Sequence, residues 1–96
     1  MQYNIINNAS QNRFELTLDG KTSVIEYKLI DSIISFTHTE VPPELQRNGI
    51  ASAMAKYAME YARLNNLKVL PLCPFIKAYI GRNQEYKPLL LEHKYL

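Results

Sequence analysis

Six consecutive residues, Gln46, Arg47, Asn48, Gly49, Ile50 and Ala51, have the composition of a turn that holds an anion. Ahead of them Pro42 and Pro43 end an extended run, because proline has no N–H to give to a strand ladder. Behind them an amphipathic helix begins. The first N–H groups of a helix have no partner inside it and point outward, and the helix dipole adds partial positive charge at that end. Amides of the preceding turn extend the same cradle, which suits a pyrophosphate. Gly49 lets the anion approach the backbone, and Arg47 adds a mobile charge and charge-assisted hydrogen bonds. The same residues also suit a plain strand-to-helix turn, and a lone glycine does not separate the two.

Three further residues carry reactive groups. His38 and Glu40 lie two apart on an extended segment and so share a face. Each is a candidate general base, directly or through a water, and each also suits a merely hydrogen-bonded or solvated role. Cys73 follows a short apolar run and precedes Pro74 and a short helix. A helix N-terminus favours a nucleophilic thiolate. The alternative is a small buried hydrophobe.

The elements that must position these groups follow from periodicity. Residues 13–18 alternate, with Phe14, Leu16 and Leu18 on one face. Asp19 and Gly20 tolerate positive φ and signal a hairpin. A second strand covers 22–30, Asp31 and Ser32 turn the chain, and a third covers 33–41. In that third strand, alternation puts Thr37, Thr39 and Val41 on one side and Phe36 and His38 on the other. Residues 3–6 suit a short edge strand, so the first half is an antiparallel meander.

A helix then runs from about 49 to 65, with Ile50, Ala53, Met54, Tyr57, Ala58, Tyr61 and Leu64 on one face of a 3.6-residue period. Asn65 and Asn66 close it. Residues 67–72 read as a buried strand, parallel to the third strand because a helix connects them. A second helix covers 75–82. Residues 89–91 suit either a last strand or packing. The expected class is α+β: a mixed sheet made of a meander and one strand–helix–strand crossover.

With 96 residues the chain is expected to form one domain, residues 1–96. The net charge of +2 suits an anionic ligand but lacks the basic stripe of a nucleic-acid binder. The single cysteine allows no internal disulfide and favours a reducing compartment. Residues 1–10 lack the apolar core of a signal peptide, and no run reaches the roughly 18 residues of a membrane span. The expectation is a cytoplasmic, soluble protein without a metal, a monomer or weak dimer.

Gln46, Gly49 and Ala51 fit the pattern Gln/Arg-x-x-Gly-x-Gly/Ala, which is similar to the acetyl-CoA signature of the GNAT N-acetyltransferase superfamily. It stands where that family has it, between a strand and a long helix. The wider run His38-Thr-Glu-Val-Pro-Pro-Glu-Leu45, with Pro71-Leu-Cys-Pro-Phe75 and Tyr79 downstream, resembles the short single-domain GNAT-like acetyltransferases. The likeness covers roughly residues 13–90. It implies acetyl-CoA as donor and an amine, small molecule or protein, as acceptor. It further implies that strands 33–41 and 67–72 splay apart. The pantetheine arm would lie in the gap on the backbone of Thr39 and Val41, with the acetyl group toward Cys73. Residues 46–51 would hold the phosphates and Asn83 would touch the coenzyme.

Transfer to an amine needs a neutral acceptor, a stabilised oxyanion and a protonated leaving thiolate. On the resemblance, Tyr79 is the proton donor to the thiolate. His38 or Glu40 is the base, or Cys73 carries the acetyl group as a thioester. The chain departs from the family in one respect: the tight Asp19-Gly20 turn leaves no room for the helix pair that usually follows the first strand. Most of the acceptor half of the site is therefore missing, and the alternatives to an enzyme are a non-catalytic acetyl-CoA or CoA-binding module and a protein-interaction domain.

Overall fold

A computed structural model describes residues 3–46 and 49–91. Five strands form a sheet in the order of the chain: β1 (Ile6–Asn8), β2 (Arg13–Leu18), β3 (Lys21–Ile30), β4 (Ile33–Glu40) and β5 (Lys68–Pro71). The first four pair antiparallel and β5 lies parallel to β4. Helix α1 (Ile50–Leu64) makes the crossover between β4 and β5, and α2 (Pro74–Arg82) follows β5. The mixed α+β architecture expected from the pattern is the one observed.

Local chemistry explains the turns. Asp19 and Gly20 both take left-handed φ, 54° and 76°, and close the β2–β3 hairpin in two residues. Asp31 does the same between β3 and β4, at φ 55°. The edge strand is shifted from the expected 3–6. A 3-10 turn at Ala9–Gln11, capped by the Asn8 side chain and ended by left-handed Asn12, brings Ile6–Asn8 rather than the earlier residues opposite β2. Pro74 opens α2, where a missing N–H costs nothing.

The core lies between the sheet and the two helices. Phe14, Ile25, Ile34 and Phe36 from the sheet are fully buried, as are Ile50, Met54 and Met59 from α1, Val69 from β5 and Ile76 from α2. Each such side chain contributes about 1.5–3 kcal/mol relative to exposure. The buried stripe of α1 differs from the expected face. Ala55, Met59 and Ala62 are buried, whereas Leu64 is exposed and Tyr57 lies near the surface. The reason is that α1 contacts the sheet on one side and α2 with the segment after it on another, so its apolar stripe is wider and rotated. Tyr57 and Tyr61 instead lap edge-on against Phe14, with centroids 5.4 and 5.3 Å away.

After α2 a 3-10 segment, Gln84–Leu89, leads to Leu90, which forms a single parallel bridge with Val69. Residues 84–91 are thus mainly a packing segment that touches the free edge of β5.

Candidate functional site

β4 and β5 are paired only over Ile33↔Lys68, Ile34↔Val69, Ser35↔Leu70 and Phe36↔Pro71. One bond flanks the ladder at each end, the Lys68 N–H donating to the Ser32 carbonyl and the Cys73 N–H to the Phe36 carbonyl, both at 2.8 Å. Residues 37–40 continue alongside β3 alone. The two parallel strands therefore part at Phe36, and among the described residues the far half of β4 has no strand partner on that side.

A bulge lies at the parting point. Tyr27 pairs with Phe36 and Glu26 pairs with His38, so Thr37 is the extra residue on β4. Its hydroxyl donates to the Glu26 carbonyl at 3.3 Å. One extra residue exchanges the faces of all that follow it. Phe36 faces the helices, but so does Thr39, the partner of buried Ile25. His38 and Glu40 turn outward with Glu26 and Val24. This corrects the simple alternation read from the sequence, which put Phe36 and His38 on one side.

The candidates therefore form two separate groups. On the helix face, the thiol of Cys73 donates to the Thr39 hydroxyl at 3.3 Å, and Cys73 is only 4% exposed. On the outer face, His38 Nε2 lies 3.3 Å from Glu40 Oε1, with both side chains more than half exposed. The spacing rule that put His38 beside Glu40 holds, but the strand stands between that pair and Cys73.

Beyond β4 the chain makes a 3-10 turn at Pro43–Leu45, pinned by the buried Leu45. The Gln46 side-chain amide donates to the Val41 carbonyl at 3.0 Å, which ties the turn to the end of the strand. Gly49 is the N-cap of α1 in a left-handed conformation, φ 68°. A side chain there would meet nothing within 4 Å, so the backbone is open to its surroundings. Gly49 has no side chain to cap the first amides, the first turn of α1 carries no acidic residue, and the first intrahelical bond runs from Ala53 N–H to Gly49 carbonyl at 3.0 Å. Among the described residues, the amides of Ile50 and Ala51 have no acceptor. Arg47 and Asn48 lie outside the described residues.

Tyr79 lies on α2 and is almost buried, at 7% exposure. Burial pushes its phenol above the ordinary value, helped by Glu85 and Glu60 and opposed by Arg82. Its ring stacks on Tyr86, with centroids 6.2 Å apart. Tyr86 in turn donates to Glu60 Oε2 of α1 at 2.8 Å. No sequence signal pointed to Tyr86 or Glu60, which are 26 residues apart. Asn83 caps the other end of α2 by donating to the Tyr79 carbonyl at 2.9 Å. Nine helical residues separate it from Cys73, about 13 Å of rise, so the structure does not bring it to the Cys73–Thr39 contact. Among the described residues no group of three or more metal-ligating side chains occurs, and no helix is long and apolar enough to cross a membrane.

A sequence model described as GCN5-related N-acetyl-transferase matches residues 13–89, the span from β2 to the segment after α2. The chain belongs to the GCN5-related N-acetyltransferase family. Protein NATD1 of Gallus gallus is 32% identical over 84 residues, covering 84% of this chain and 74% of the relative. Protein NATD1 of Mus musculus is 31% identical over 74 residues, covering 74% of this chain and 67% of the relative. The NMR solution structure of a GCN5-like protein from Staphylococcus aureus superposes with a TM-score of 0.72 at 30% identity, over 95% of this chain and 92% of that one. Against the family pattern quoted above, the two-residue link between β2 and β3 leaves the outer face beside His38 and Glu40 without a covering helix pair.

Proposed function

We propose that the chain, acting as one domain over residues 1–96, binds acetyl-CoA and transfers its acetyl group to an amine. The observation that carries this reading is the parting of β4 from β5 at Phe36, which leads directly to the uncapped start of α1 at Gly49. The unpaired edge of β4 up to Thr39, with the Val41 backbone beyond it, whose carbonyl already accepts from Gln46, is a place for the amide-bearing pantetheine arm. The amides of Gly49, Ile50 and Ala51, with Gln46, Arg47 and Asn48, would take the pyrophosphate. Asn83, its amide already bonded to its own helix, is at most a peripheral contact to the coenzyme.

Direct transfer fits the two faces better than a relay. An amine arriving from the open outer face meets His38 and Glu40 first, and either group removes its proton. The amine nitrogen bonds to the thioester carbon, the carbon–sulfur bond breaks, and the coenzyme thiolate takes a proton from Tyr79. Cys73 lies on the opposite face and bonds to Thr39. An acetyl group carried by Cys73 would be shielded by β4 from the base that activates the acceptor. The bare outer face also favours a second reading, a coenzyme-binding module that does not turn over.

An NMR titration with acetyl-CoA tests the root of the proposal. Shifts centred on residues 39–53 are expected, with Gly49→Val lowering affinity by tenfold or more while the spectrum stays that of a folded protein. Equal binding by Gly49→Val would remove the phosphate-turn assignment. Binding without release of free coenzyme thiol from acetyl-CoA, with Nα-acetyl-lysine amide as acceptor probe, would select the module.

A further inference from the structure

The segment after α2 is held to α1 by one polar contact chain. Tyr86 is 4% exposed and its hydroxyl donates to Glu60 Oε2 at 2.8 Å. The other oxygen of Glu60 accepts from the Arg63 guanidinium, one turn further along α1. Both carboxylate oxygens are therefore satisfied, and the carboxylate is fixed in orientation from both sides. The ring of Tyr86 also stacks on that of Tyr79, with centroids 6.2 Å apart and an interplanar angle of 25°. Aromatic stacking restrains a ring in plane and tilt, and Tyr86 itself is restrained by its bond to Glu60. Among the described residues the Tyr79 hydroxyl has no hydrogen-bond partner of its own, and packing and this stack are what those residues offer to aim it.

We propose that Tyr86 and Glu60 are positioning residues that aim the Tyr79 hydroxyl at the coenzyme sulfur. The proposal rests on the reading of Tyr79 as proton donor given above. Three features make the arrangement suit that task. The stack fixes the ring without using its hydroxyl, which stays available for donation. Burial first, then Glu85 and Glu60, disfavours the phenolate of Tyr79, so the donor keeps its proton until a thiolate appears. Glu60 itself stays ionised because the bonds from Arg63 and Tyr86 hold its carboxyl below the ordinary value. The clamp also joins the helix that begins at the phosphate turn to the helix that carries the donor, so the two halves of the coenzyme site share one anchor.

The test uses the full chain labelled with carbon-13 at the tyrosine Cζ, with Tyr79→Phe assigning the Tyr79 resonance. Coenzyme A is the probe. Addition of coenzyme A is expected to shift that resonance in the parent protein. Tyr86→Phe keeps the stacking ring and breaks only the bond to Glu60, and Glu60→Gln keeps an acceptor and removes the charge. Both are expected to reduce the coenzyme-induced shift by at least half, with coenzyme affinity within threefold of the parent. In the free protein Glu60→Gln is expected to lower the titration midpoint of Tyr79 by removing a nearby charge; loosened packing would lower it in the same direction by hydrating the phenol, and unchanged methyl resonances of the surrounding core distinguish the two. If both variants leave the Tyr79 shift and midpoint unchanged, the clamp does not act on Tyr79 and the proposal is overturned, while acetyl-CoA binding stands. If coenzyme A binds the parent yet never moves Tyr79, the donor assignment falls and the proposal with it. If coenzyme A does not bind at all, the functional reading itself is what failed.

Discussion

The two halves of β4 differ although they are one strand. Residues 33–36 pair on both sides, with β3 and β5, and their inward side chains Ile34 and Phe36 are fully buried. Residues 37–40 pair on one side, begin with a bulged threonine, and end in an exposed His38–Glu40 pair. The first half holds the sheet together. The second offers an open backbone edge and polar side chains on both faces. A single inserted residue, Thr37, separates the two regimes, because it interrupts the pairing with β3 for one residue and exchanges the faces beyond it.

The largest expected effect lies in the paired half. Phe36→Ala removes a fully buried ring and should cost about 3–5 kcal/mol, read as a fall in urea midpoint. A cost below about 1 kcal/mol would mean that this half is not the structural one. In the open half the expectation is reversed. His38→Ala combined with Glu40→Gln should leave stability within about 0.5 kcal/mol, as for exposed sites, yet slow acetyl transfer to an amine by about a hundredfold or more. Stability loss comparable to that of Phe36→Ala would erase the contrast.

A smaller effect is expected across the strand. Cys73→Ala loses the thiol bond to Thr39 and a little packing, about 1 kcal/mol in all. Turnover should stay within twofold and no acetylated protein should accumulate by intact mass. Abolished turnover would reverse the choice of face and make Cys73 the acyl carrier.

The smallest effect is a pH dependence outside β4, at the clamp on α1. The Glu60 carboxyl is held below its ordinary value of 4.5 by the bond from Arg63 and then by that from Tyr86. A carboxylate with a depressed folded value contributes stability that is complete above its unfolded value. That contribution is lost as pH falls through the folded value. Between pH 5 and the acid limb, Glu60→Gln should therefore show a shallower loss of stability than the parent. Parallel acid limbs for the two proteins would show that the bonds at Glu60 add nothing. Glu15, held low by Arg13 and Asn8, adds a similar slope in both proteins and cancels in the comparison.

Most of the fold was legible because it is written in local chemistry. The alternation of β2, the Asp19-Gly20 hairpin, the proline stop after Val41 and the Gly49 start of α1 each follow from backbone preferences of a few neighbouring residues. The wider buried stripe of α1 was not legible, since it depends on α2 and the tail packing against a second side. The site was legible in part. The spacing placed His38 beside Glu40, and α2 begins at Pro74, one residue before the expected 75.

What the sequence determined alone was the order and type of the elements, the turn that opens α1, and which side chains have reactive groups. Periods of two and 3.6 residues and the φ preferences of glycine, asparagine and proline act over a few residues, so they can be read in one dimension. What only the tertiary structure decided was the grouping of those side chains. The bulge at Thr37 is defined by the partner strand, which counts two residues against one. It alone puts Thr39 with Cys73 and turns His38 and Glu40 to the other face. The Tyr79–Tyr86–Glu60 chain likewise joins three elements whose distance along the sequence carries no trace of their contact.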